Sequence, residues 1–163
     1  MSNWCRNIVV DSLNNLWICG SNGIEVFSIK NNRIITDSVF RGIEKFKITY
    51  PYDLVITEKY EIIVVGVKQA CIIDMVKREG KFLTLPNADF EPASVLYKDR
   101  IAWIVGSGGL LRCEIDTDKQ NVFEKRDGIS DNQFMRNASC SDEAGIFILE
   151  VIMDLPFLTL RWL

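Results

Sequence analysis

Residues 16–27, LWICGSNGIEVF, hold the first arrangement with chemical potential, the glycine-rich turn Cys19-Gly20-Ser21-Asn22-Gly23. A phosphate-cradling loop of this composition needs a Lys-Ser/Thr pair and a helix after it. Ile24, Val26 and Phe27 follow in strand alternation instead, so Ser-Asn-Gly is expected to form a tight β-turn that uses positive φ. The stretch DTDKQNVFEKRD at 116–127 begins like a calcium loop, but Asn121 stands where the sharp turn needs glycine and Asp127 where the bidentate glutamate belongs. Five cysteines (Cys5, Cys19, Cys71, Cys113 and Cys140) form no C-x-x-C pair, which argues against zinc and against a disulfide scaffold. The chain has no histidine, and this removes the Ser-His-Asp triad, the His general base, the His metal site and the phosphoaccepting His. Paired Asp and Glu could serve glycoside hydrolysis, yet sequence alone distinguishes no pair. No catalytic residue, metal ligand or cofactor is therefore assigned. Binding residues are not fixed either, although Trp4, Tyr50 and Tyr52 are the aromatics on which a sugar would stack.

The elements that would position such groups belong to an ordinary globular chain of 163 residues, 48% hydrophobic and 25% charged, with length for one domain. A net charge of −3 with scattered basic residues leaves no footprint for nucleic acid or an anionic membrane, so neither partner is expected. No basic region followed by an apolar one marks a signal peptide at the N-terminus. The apolar C-terminal stretch is interrupted by Glu150, Asp154, Pro156 and Arg161, and no membrane insertion is expected from it.

Three segments superimpose: NNLWICGSNGIEVFSI, KYEIIVVGVKQACIIDM and DRIAWIVGSGGLLRCEID. Each has a polar turn, an apolar strand ending at a glycine (Gly20, Gly66, Gly106), a short turn and a second strand. The glycines recur at 40 to 46 residues, the period of a four-stranded propeller blade. Further strands are expected before each hairpin, at 7–11, 52–57 and 93–98, and after it, at 33–36, 81–85 and 121–125. Trp17 and Trp103 occupy matching places as blade-to-blade packing residues, with Val64 as their counterpart in the middle repeat. Gly20, Gly23, Gly66 and Gly106 are structural glycines, and Cys71 and Cys113 match each other and Phe27 as core positions. The fold class is all-β: an incomplete β-propeller of about three to four four-stranded antiparallel blades.

The stretch IVVDSLNNLWICGSNGIEVF resembles the two-component regulator propeller repeat, Asp-x-x-Gly-Asn-Leu-Trp-Ile-Gly-Thr-x-x-Gly-Leu, through Asp11, Asn15, Leu16, Trp17, Ile18 and Gly23. Asn14 replaces the turn glycine, and Cys19-Gly20 stands for Gly-Thr. RDGISDNQF at 126–134 is similar to the family's inter-blade segment through Asp127, Gly128, Ile129 and Asn132. The resemblance implies a non-catalytic part of the extracytoplasmic sensing region of a hybrid histidine kinase of Bacteroides type, periplasmic, with an oligosaccharide as ligand. No kinase or phosphoacceptor histidine is in this chain. The alternatives are a protein-interaction scaffold and a fragment of a propeller enzyme acting on glycosides.

The expected units are blades at 1–40, 41–86 and 87–126 and the start of a fourth at 127–145. Residues 146–163 depart from the repeat. A gene read one base earlier from Ile146 permits DIYFGSNNGFTF, and Met153-Asp154 forces a glycine in that frame. The tail is thus expected to be a frameshifted end that completes or replaces the fourth blade. Too few blades to close imply association with remaining propeller blades or with a second copy.

Overall fold

The structure is a computed structural model that describes residues 4–129, 134–141, 147–151 and 158–160. Strands β1 (Cys5–Val10), β2 (Asn15–Gly20), β3 (Gly23–Ser28) and β4 (Arg33–Ile34) form the first antiparallel sheet in sequence order. A short helix α1 (Thr36–Phe40) and a 3-10 turn (Glu44–Phe46) lead to the second sheet. It comprises β5 (Pro51–Ile56), β6 (Glu61–Gly66), β7 (Gln69–Asp74) and β8 (Glu79–Phe82). The third comprises β9 (Glu91–Lys98), β10 (Ile101–Ser107), β11 (Gly109–Glu114) and β12 (Gln120–Phe123). After a 3-10 turn at Lys125–Asp127, a three-stranded sheet follows from β13 (Phe134–Ser141), β14 (Phe147–Val151) and β15 (Leu158–Leu160). This is the expected all-β array of consecutive antiparallel blades. Of the tail, β14 pairs with β13 and β15 with β14, while residues 142–146, 152–157 and 161–163 lie outside the described residues.

Apolar clusters lie between successive sheets. Trp17, Cys19, Ile24 and Val26 of the first sheet pack on Leu54, Ile62, Val64 and Cys71 of the second. Ile63, Val65 and Ile72 on the other face of the second sheet pack on Val95, Ala102 and Ile104 of the third. Leu96, Trp103 and Val105 then meet Ile129 and Phe134. The middle strand β6 is buried at every residue because it is covered on both faces, whereas β2 alternates between buried and half-buried. Phe40, Ile43 and Phe46 from the first inter-sheet connection join the first cluster, with Phe40 edge-on to Trp17 at 6.0 Å between centroids.

The hairpin registers correct two expected matches. Gly20 pairs with Gly23, Gly66 with Gln69 and Gly106 with Gly109. Three residues before each hairpin glycine stand Trp17, Ile63 and Trp103, and all three face the following sheet. Ile63, not Val64, is the counterpart of the tryptophans, and Val64 faces the preceding sheet. Counted from the same hairpins, Cys113 matches Phe27, but Cys71 lies two residues earlier in its strand and matches Leu111. Strand β4 ends at Ile34 rather than Thr36. Thr36 Oγ1 accepts a hydrogen bond from Val26 N at 2.8 Å as the chain turns into α1.

The three hairpin glycines share a cause that is not φ. A Cβ on Gly66 would collide with the carbonyl of Tyr50, on Gly106 it would lie 2.5 Å from the carbonyl of Glu91, and on Gly20 3.3 Å from that of Trp4. Each glycine lets the residue at the start of the inner strand approach. In the first hairpin only Gly23 takes positive φ, at 112°, whereas Asn14, standing where the repeat has glycine, is left-handed at 59°.

Candidate functional site

The inner strands β1, β5, β9 and β13 lie side by side, and each carries a register shift near its start. The residues just past these shifts, Asn7, Asp53, Ser94 and Ser139, form a chain of hydrogen bonds across the four sheets. Asn7 Nδ2 donates to Asp53 Oδ1, Ser94 Oγ donates to Asp53 Oδ2 at 2.5 Å, and the Ser139 hydroxyl meets that of Ser94. Asp53 also accepts from Leu54 N at 2.8 Å and from Val95 N at 2.9 Å. Four donors thus satisfy this buried carboxylate and pin the strands at one depth.

Beside this belt, at the end where the inner strands begin, one side chain from each strand converges. Tyr52 of β5 is the centre. The Arg6 guanidinium from β1 lies 5.2 Å from its ring centroid and that of Arg136 from β13 lies 4.2 Å from it. The Tyr52 hydroxyl donates to Glu91 Oε1 of β9 at 3.1 Å. Arg136 reaches the same Glu91 oxygen at 3.9 Å, and Arg6 Nη1 donates to Pro51 O at 3.3 Å. Burial, then the bond to Glu91, raises the Tyr52 phenol above its ordinary value, so the phenol stays neutral beside two cations. Tyr52 is 4% exposed, so it is not the open stacking surface expected of it; Trp4 and Tyr50 are exposed, at 69% and 53%. Ser21 N donates to Trp4 O and Val67 N to Tyr50 O, so the two aromatics stand in equivalent places one sheet apart, at this same end. A cavity of about 80 Å³ lies beside Trp4, lined in part by Ile18, Ser21, Asn22 and Glu25.

The opposite end is built differently. Asp11 accepts from Leu13 N at 2.9 Å, Asn15 N at 2.8 Å, Asn15 Nδ2 at 3.0 Å, Trp17 Nε1 at 2.9 Å and, from the next sheet, Tyr60 Oη at 3.0 Å. Burial pushes its carboxyl up, but the bonds from Trp17, Asn15 and Tyr60 outweigh it and hold the group below its ordinary 3.8. Tyr60 is left-handed at φ 59°, an unusual state for a bulky residue. Between the second and third sheets, Arg100 binds Glu61 and Asp116. The Arg100 bond lowers the Glu61 carboxyl despite its burial.

The glycines Gly20, Gly66 and Gly106 flank the inner-strand starts, Gly23 caps the first hairpin, and Trp17 and Trp103 pack between sheets. None of these six projects into the Tyr52 cluster. Cys19, Cys71 and Cys113 are buried and Cys5 and Cys140 exposed. Burial pushes the Cys71 thiol up to about 12, which leaves it a packing group. Asp116 pairs with Arg100, and Gln120–Phe123 is strand, so the 116–127 stretch encloses no cation loop; among the described residues no acidic or thiol cluster fits a metal ion. Arg6, Glu91 and Arg136 were not distinguished in the sequence. Their common signal is a charged residue at or near the start of an inner strand.

No protein-family model matches the chain, and no curated protein matches it. Solved structures do. The extracellular domain of the hybrid two component system BT4673 from B. thetaiotaomicron is 14% identical with a TM-score of 0.65, the match covering 90% of this chain and 19% of that one. The extracellular domain of the hybrid two component system BT3049 from the same bacterium is 14% identical with a TM-score of 0.70 over 89% of this chain and 20% of that one. Virginiamycin B lyase from Staphylococcus aureus is 15% identical with a TM-score of 0.63 over 89% of this chain and 48% of that one. The chain thus spans about a fifth of the two sensor domains and about half of the lyase. At these identities the likeness is one of fold, and the first two neighbours are of the class that the repeat motif resembles.

Proposed function

We propose that this chain is part of the extracytoplasmic sensing propeller of a two-component system and that the inner-strand end around Tyr52 receives a glycan-derived ligand. The observation that carries the reading is the convergence there of one side chain from each of four successive sheets, beside two exposed aromatics in equivalent places. A ligand seated on it would touch several blades at once, and sugars present apolar C–H faces to rings such as Trp4 and Tyr50. The fold likeness to two extracellular sensor domains supports the same direction. Among the described residues no helix is long and apolar enough to cross a membrane.

Thermal-shift and calorimetric titration of the full chain against an oligosaccharide panel tests this. A saturable rise in Tm that weakens in Trp4→Ala and Tyr50→Ala is expected. Absence of any oligosaccharide response would remove the reading.

A second reading, a protein-interaction scaffold, draws on the first sheet. Ile8, Val10 and Ile34 are exposed there, while Leu54 and Ile62, on the corresponding face of the second sheet, are buried against its neighbour. Light scattering of the chain separates the two, since the scaffold reading expects self-association independent of sugar.

A further inference from the structure

Resting on the glycan-sensing reading, we propose that the inner-strand end is selective for acidic sugars, with the ligand's carboxylate or sulfate held by Arg136 over Tyr52. The Arg136 guanidinium lies over the ring, 4.2 Å from its centroid, and its side chain is 57% exposed. A guanidinium over a ring face engages it as a cation, and its N–H donors form a fork that matches a carboxylate or sulfate. The one opposite charge it meets among the described residues is Glu91, at 3.9 Å, too long for a hydrogen bond. That oxygen already accepts from Tyr52 Oη. Among the described residues Arg136 is therefore held over the ring with no carboxylate at hydrogen-bonding distance.

The surroundings favour the same charge. Asp53, next along β5, has its oxygens taken by Asn7, Ser94, Val95 N and Leu54 N and does not compete for Arg136. The Arg6 guanidinium also contacts the Tyr52 ring, which with its hydroxyl tied to Glu91 is preorganised before any ligand arrives. Lys68, on the β6–β7 turn at this same end, adds a cation anchored to Ala88 O at 3.1 Å. Trp4 and Tyr50 supply the apolar contacts that a free anion could not use. The ligand class is thus a uronate or a sulfated sugar, which share an anion on an otherwise stackable ring.

Calorimetry on the full chain with digalacturonate, a chondroitin sulfate disaccharide, cellobiose and sodium sulfate distinguishes these sources. Either or both acidic disaccharides are expected to bind more tightly than cellobiose. Arg136→Gln should weaken the acidic probe by about 10-fold or more, the loss of a charge-assisted bond. Arg136→Lys should fall between, and Lys59→Gln at the opposite end should change nothing. Circular dichroism of each variant confirms the fold. Cellobiose binding as tightly as the acidic probes, or an acidic affinity unmoved by Arg136→Gln, overturns the acidic selectivity and leaves glycan sensing standing. Sodium sulfate binding as tightly as the disaccharides removes the sugar from the site, and no binding by any of the three disaccharides overturns both readings.

Discussion

The two ends of the inner strands use similar residue types to opposite effect. At the end away from Tyr52, Asp11 and Arg100 meet partners of opposite polarity at hydrogen-bonding distance, and the partners are backbone amides, an indole, a phenol and carboxylates from adjacent turns. At the Tyr52 end Arg6 and Arg136 both lie over an aromatic ring, Arg6 also donates to Pro51 O, and for Arg136 the one carboxylate it meets among the described residues sits at 3.9 Å. A saturated network fixes loops, whereas a cation over a ring with no carboxylate at hydrogen-bonding distance keeps donors available. Polar clusters in this fold therefore divide by whether their bonds close among themselves.

That division is broken first at Trp17. Trp17→Ala should destabilise by about 3 to 5 kcal/mol, since the side chain is fully buried between sheets and also donates to Asp11; chemical denaturation measures it, and a change under about 0.5 kcal/mol would show the interface does not depend on it. Asp11→Ala comes next, at about 3 kcal/mol, because it strands several buried donors at once. Its pH dependence has a definite sign. The folded carboxyl titrates below its ordinary 3.8, so its contribution is complete well above that value and is lost as pH falls through the lowered one. Asp11→Asn should flatten that part of the acid unfolding curve. Arg100→Ala should cost about 2 kcal/mol, less than a fully buried pair, since Asp116 remains half open to water. Arg136→Gln marks the other end of the scale, with an expected change in stability under about 0.5 kcal/mol. A loss as large as that of Arg100→Ala would make the Tyr52 end a structural network like its opposite.

The strands and hairpins were legible because apolar runs, glycines and polar turns recur at one period, and Asp11, Asn15 and Trp17 could be placed by motif. Their hydrogen-bonded closure explains why those three types occur together. Facing was harder to read. Strand β6 is EIIVVG, apolar on both sides, so no alternation told Ile63 from Val64. The helix Thr36–Phe40 is not marked in the sequence because Ile35 and Thr36 read as strand, and the Thr36 side chain takes the amide of Val26 within β3. Of the Tyr52 cluster, only the tyrosine stood out. Arg6, Glu91 and Arg136 lie in separate repeats and share no motif, and their meeting depends on how the sheets stack.

Tyr60 reaches back across a sheet boundary to a carboxylate that also shapes the first sheet's own turn. In an array of repeats, stability is ordinarily the sum of what each unit holds by itself and what neighbours add. Here one group enters both sums, so the first unit cannot fray at this turn without giving up its hold on the second. The β1–β2 turn, exposed at its tip and remote from most of the chain in sequence, should therefore open only as often as the neighbouring unit lets go, and the two should melt as a single cooperative block.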